Sequence, residues 1–333
     1  MNHGHIFMKE LLLSHPADAT SELQVISARL QSPDSEIRRI AIIDLTDLAG
    51  DEHVYLFVSA LNDASPPVRR EAAAALQAFE CEQGVAALVN LLGDEDAEVR
   101  NTASDSLSDL KLTSSATYLL PAVSHPLPQV RASALRALKP LRVMASYQPA
   151  ITALSDQDAT VRREAVAVLG YLKHPQALSS LQGLLYSDSD AEVRRAAVGA
   201  LGYASDENGL PALLKGLHDE AWQVREEAAT TIGKLRLAAA IDPLIDSLQD
   251  AYWQVRLRAA RSLGRLRNPL AVAALLALLS HQISNLRKEA ALALGEIGSS
   301  LALGELEKHQ ADPDPEVRKS VRLAIEQINT TSM

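Results

Sequence analysis

One interval governs what this chain can fold into. An Arg preceded by an apolar residue recurs at 38, 69, 100, 131, 162, 194, 225, 256, 287 and 318, in steps of 31 residues with a single step of 32. Three residues after that Arg stands Ala in nine copies, from Ala41 to Ala290, with Val321 in the tenth. Seven after it stands Leu or Ile in all ten. Offsets −1, +3, +7 and +10 share one stripe of a helix with about 3.6 residues per turn, so this half of each repeat is predicted to be an amphipathic helix, helix B. Apolar runs before it, such as "AALVNLLGD" and "AALLALLSH", are long enough for a second helix, helix A. A lone helical hairpin cannot bury its stripe, and hairpins that repeat must stack on their neighbours. The expected fold is therefore all-α, a solenoid of about ten hairpins. Residues 1–18 are read as an N-terminal capping segment, 19–328 as a single array, and 329–333 as a C-terminal tail.

The turn before each helix B carries its own columns. Asp34, Ser65, Asp96, Asp158, Asp190 and Asp314 stand at the N-cap, and Pro66, Pro128 and Pro315 at the first helical position. Six residues before the Arg is Asp63, Asp94, Asp156, Asp188, Asp219, Asp250 or Asp312, with His125 and His281 replacing it in repeats 4 and 9. An Asp–Arg ladder from turn to turn accounts for both columns, so the recurring Arg reads as structural. Gly170, Gly202, Gly233, Gly264 and Gly295 fall in the last turn of five consecutive B helices, where they permit close packing or begin the exit turn. Repeat 4 gathers five of the fifteen prolines. Its Pro140 is expected to end helix B early and loosen the stacking there.

Segments such as "DSDAEVRRAAVGALGYA" and "WQVRLRAARSLGRL" resemble HEAT-like repeats of the type named after phycobilisome lyase subunits, over about residues 20–328. The resemblance implies a right-handed superhelix with B helices on its concave side. It leaves activity open, because such repeats serve as scaffolds, lyase subunits and a few enzymes. Deoxyhypusine hydroxylase is similar in architecture and uses His-Glu pairs for its iron, yet none of the nine histidines here is followed by Glu.

No catalytic group, metal site or cofactor is expected. There is no nucleophile elbow, P-loop or dinucleotide fingerprint, and the one cysteine, Cys81, builds neither a disulfide nor a thiolate metal cluster. His3 and His5 have no enclosing ligand shell. Neither a leader with a cleavage site nor a membrane span is read in the sequence, and a reducing cytoplasm suits the cysteine usage. A net charge of −10 disfavours nucleic acid and anionic membranes as partners. The expected function is a non-enzymatic scaffold or adaptor that holds another protein or peptide on its B-helix face. The alternatives are a lyase-like or maturation subunit acting on a cofactor-bearing client and, third, nucleic-acid binding through repeat 8. Oligomeric state is not legible.

The face itself offers candidates. Both tryptophans, Trp222 and Trp253, stand three residues before the Arg of a "QVR", in repeats whose N-cap has become Ala221 or Tyr252. Leu257 follows Trp253 by one turn, and helix B of repeat 8 carries Arg256, Arg258, Arg261, Arg265 and Arg267 with no acidic residue. Trp222, Tyr252, Trp253 and Leu257 bordered by Arg258, Arg261 and Arg265 have the composition of a protein-binding hot spot. Tyr171 and Tyr203, beneath Arg163 and Arg195 in repeats 5 and 6, form a second candidate patch.

Overall fold

A computed structural model of the protein describes residues 16–48, 50–203 and 207–331. The described residues form helices and turns with no strand, as the periodicity requires. They divide into two compact units, 1–150 and 151–333. In each unit a helix A and a helix B alternate, and after the first pair helix B is the longer of the two. Repeat 8, for example, pairs Ile241–Ser247 with Trp253–Leu266, and repeat 9 pairs Val272–Leu278 with Ser284–Ile297. The N-terminal capping segment lies largely outside the described residues, and the first described helix is Pro16–Arg29. The supposed tail is helical as far as Thr331.

The core sits between neighbouring B helices and their A helices. The residue before the Arg is buried in nine copies, and the Ala column from Ala41 to Ala290 is fully buried. Small side chains there let consecutive B helices close upon each other, and the glycines carry this further. A Cβ on Gly264 would lie 2.8 Å from Ala293 Cα, and one on Gly233 would lie 2.2 Å from Ser262 Oγ. Ser262 Oγ meanwhile donates to the Ala229 carbonyl at 2.7 Å, tying helix B of repeat 8 to that of repeat 7. Of the two roles open to these glycines, close packing is the one they serve at Gly233, Gly264 and Gly295.

The ladder is present. In six rungs the Arg of one repeat donates Nε and Nη2 to both oxygens of the next turn's Asp, at 2.6–2.9 Å: Arg38–Asp63, Arg69–Asp94, Arg162–Asp188, Arg194–Asp219, Arg225–Asp250 and Arg287–Asp312. Each Asp also accepts the backbone N–H two residues on, which shapes its own turn. One carboxylate thus closes a turn and clamps the preceding hairpin.

Two local expectations change. Ser65 does not cap its helix; Pro66 and Pro67 follow it, so the first turn has lost two of the N–H groups a cap would satisfy. Pro140 does not end its helix early. That helix runs from Pro128 to Leu141, 14 residues like helix B of repeat 8. A proline one residue from the end forfeits a single amide bond in a turn that is about to finish.

Candidate functional site

The residues expected to form one patch lie in two adjoining places. Trp222 and Tyr252, each near the start of its own helix B, stack with ring centroids 5.6 Å apart and planes 16° from parallel. The guanidinium of the ladder residue Arg225 lies 5.7 Å from the Tyr252 centroid. This is a stack along the turn edge, between Trp222 at the first helical position of repeat 7 and Tyr252, which in repeat 8 takes the N-cap place that other repeats give to Asp. Neither helix has a side-chain cap. The ring contacts and the bond from Tyr252 N–H to Asp250 hold the turn instead.

Trp253 and Leu257 face elsewhere. With Gln254, Arg258, Arg261, Glu226, Asn285, Lys288 and Glu289 they line a groove of about 360 Å³ across the B helices of repeats 7, 8 and 9. Trp253 is 38% exposed there. The walls are ion pairs between neighbouring repeats: Arg258 Nε donates to Glu226 at 2.9 Å, and Arg261 donates both Nε and Nη2 to Glu289 at 2.8 Å. Hydrogen bonding to Glu289 raises the Arg261 pKa above its ordinary value, against the cost of burial. So the arginine rim is not bare charge. Its carboxylates come from offsets +1 and +2 of the adjoining repeats, columns visible in the sequence but legible as partners only once helices are stacked. Arg265 lies beyond the groove and has no ion-pair partner among the described residues.

The second patch is also rearranged. Tyr171 and Tyr203 have centroids 6.4 Å apart. The cation over Tyr203 is Lys173, with Nζ 5.4 Å from the centroid. Lys173 ends its helix in the left-handed conformation (φ 53°), which sends its side chain back across the next repeat. Arg163 and Arg195 engage carboxylates of their own helices, Glu164 at 3.5 Å and Glu192 at 2.8 Å. Tyr203, Lys173, His174 and Leu178 help to line a cavity of about 140 Å³, with Gly170 at its wall. The αL end that brings Lys173 here has no simple signature, since Gly rather than Lys is the usual residue in that conformation.

No described helix is long and apolar enough to cross a membrane. Among the described residues no group of three or more His, Cys, Asp or Glu is placed to hold a metal ion. The arrangement as a whole offers an apolar floor, fixed charges of both signs and grooves between repeats, which is the chemistry of surface recognition.

Known proteins share this architecture. No curated protein matches the chain. Among solved structures it resembles Kap95p, in a study of Kap95p binding to RanGDP, with TM-score 0.68 and 14% identity over 92% of this chain and 51% of that one. It also resembles importin beta, with TM-score 0.64 and 15% identity over 96% and 52%. The chain thus spans about half the length of those two proteins. The CpcE–CpcF complex of phycocyanin lyase from Nostoc aligns at 24% identity over 66% of this chain and 96% of that one, with TM-score 0.44. Overlapping matches to the family described as HEAT repeats run through residues 23–108, 54–139, 116–201, 146–232, 184–253 and 241–326. With nearly every hairpin covered, the chain belongs to the HEAT-repeat family.

Proposed function

We propose that this protein is a non-enzymatic scaffold that holds a protein or peptide partner against its B-helix face, with the groove of repeats 7 to 9 as the principal contact. One observation carries the reading: the exposed indole of Trp253 shares a groove with Leu257 between the Arg258–Glu226 and Arg261–Glu289 pairs. A large aromatic beside paired charges binds by burial and shape, and the rigid pairs lower the entropy that ordering the surface would cost. The Ala and Gly columns between consecutive B helices support placing this face on the inner, concave side of the hairpin stack, because the side with smaller spacers is the shorter one. The repeats are assigned to the phycobilisome-lyase type on their 31-residue motif, and the protein to the cytoplasm.

Lys288 lines the groove and supplies a test. Amine cross-linking in the native cell followed by mass spectrometry should recover a partner peptide joined to Lys288, and Trp253→Ala/Leu257→Ala should abolish it. Partner cross-links unchanged by the double variant would sink the assignment of this groove.

A further inference from the structure

The one 32-residue step of the repeat runs from Arg162 to Arg194, and the hairpins on either side of it close less tightly than those that follow. Helix B of repeat 6, Ala191–Leu201, has 11 residues, where Ala159–Leu172 before it and Trp222–Leu235 after it have 14. The core offset +10 is Leu172 in repeat 5 and Leu235 in repeat 7, but in repeat 6 it falls on Ala204, a smaller side chain. A Cβ on Gly170 would lie 3.2 Å from its nearest neighbour, Ala200. At Gly233, Gly264 and Gly295 the nearest atom lies at 2.8 Å or less. A shorter helix and smaller side chains leave room between repeats 5 and 6, and that room is the cavity of about 140 Å³.

Its walls differ from inside to outside. The floor is Leu169, Ala177, Leu181 and Ala200, all buried, and it presents carbon alone. The rim is polar and open to solvent, with the ammonium of Lys173 and the exposed ring of Tyr203, and His174 beside them. Among the described residues Lys173 Nζ has no carboxylate partner, and its contact is the Tyr203 ring, 5.4 Å away at the centroid. Size narrows the choice of ligand. Nucleotides and other ligands of that bulk take pockets of about 300 Å³ or more, whereas an apolar cavity of about 150 Å³ holds benzene.

We propose that this cavity is a binding site for a small cyclic monocarboxylate of benzoate size, its ring on the leucine floor and its carboxylate at the ammonium of Lys173. Burial of the ring supplies affinity, and the cation at the rim selects an anion and sets its orientation. The left-handed end of helix B in repeat 5 is what aims Lys173 across the rim. The site is separate from the groove of repeats 7 to 9 and does not depend on it.

The probe is 4-fluorobenzoate, titrated by fluorine NMR against the full chain. Wild-type protein should bind it saturably, with Kd of about 1 mM or tighter. Trifluoroacetate keeps the charge without the ring, and 4-fluorobenzamide the ring without the charge; each should bind at least about fivefold more weakly. Lys173→Gln should weaken fluorobenzoate binding by about fivefold and bring it level with the benzamide, while Lys173→Arg stays within about threefold of wild type. Lys308→Gln removes the same charge at an exposed site in repeat 10 and should leave binding unchanged. Ala200→Leu fills the floor, so it should abolish binding with Tm kept or raised. Should Ala200→Leu fail to fold, the Lys173 variants decide alone. No saturable binding up to about 10 mM overturns the proposal, as does equal affinity in wild type and Lys173→Gln, or undiminished binding by folded Ala200→Leu.

Discussion

The Asp of the ladder does three things with two oxygens. In Asp188, Oδ1 accepts the Asp190 N–H, and the pair of oxygens accepts Nε and Nη2 of Arg162. Burial by itself would raise this carboxyl, but the bonds from Arg162 and the backbone outweigh it and hold the pKa below its ordinary value of 3.8. Removing the carboxylate would strand a guanidinium that is only 13% exposed. Asp188→Ala is therefore expected to cost about 2–4 kcal/mol, read as the urea midpoint. Lys308→Ala, which breaks an exposed pair with Glu305, should change stability by less than about 0.5 kcal/mol. If the two variants cost the same, the rungs are ordinary surface pairs. The sequence announced these residues by their spacing alone. The missing Asp opposite Arg256 was legible in the same way, as His281 at the ladder position, but the spacing did not show that Arg256 Nε is left buried without an acceptor.

At the scale of the helix, glycine shows what stacking adds to propensity. An Ala in mid-helix is favoured over Gly by about 1 kcal/mol. At Gly183, in the helix Leu178–Ser187, a Cβ would meet nothing within 4 Å, so Gly183→Ala should stabilise by about 0.5–1 kcal/mol. At Gly264 the Cβ would reach the backbone of Ala293 at 2.8 Å. Overpacking of about 1–3 kcal/mol then exceeds the propensity gain, and Gly264→Ala should lower Tm. Opposite signs for the two substitutions would confirm that the late glycines set the spacing of B helices. Both glycines look alike in the sequence apart from their offset, and it is the neighbour across the interface that separates them.

Across the whole molecule, acid should act through the ladder. Asp63 and Asp312 are lowered first by the hydrogen bonds from Arg38 and Arg287; in Asp94, Asp188, Asp219 and Asp250 burial opposes and the Arg bonds prevail. A carboxyl with a depressed folded pKa contributes stability that is complete above its unfolded value of 3.8 and is lost as pH falls below it. His281 adds a smaller step with the same direction. Burial, then the cations of Arg256 and Arg287, hold its imidazole below the ordinary 6.5, so the unfolded chain takes up a proton first and stability declines as pH drops through 6.5. Urea midpoints should decrease slightly between pH 7.5 and 5.5 and steeply below pH 4, with the first decrease reduced in His281→Gln. A midpoint that rises on acidification would contradict the ladder as the dominant charge effect. Because contacts in such an array run between neighbours, Asp188→Ala should also weaken hydrogen-exchange protection in the adjacent hairpins and spare that around Arg38.

A recurring 31-residue interval determined the hairpins, their number, the buried stripe and the ladder, because each is local or reaches only to the next copy, and a periodic sequence displays such relations directly. Which aromatic faces which partner was decided by tertiary structure. Trp222 and Trp253 hold identical positions in the repeat, yet one stacks on Tyr252 and the other lines a groove with Leu257. Arg258 and Arg261 of repeat 8, without an acid in their own helix, find Glu226 and Glu289 only across the interfaces on either side. Periodicity places a side chain on a face. The charge or ring it meets there belongs to another repeat, and only the packing of helix on helix brings that partner within reach.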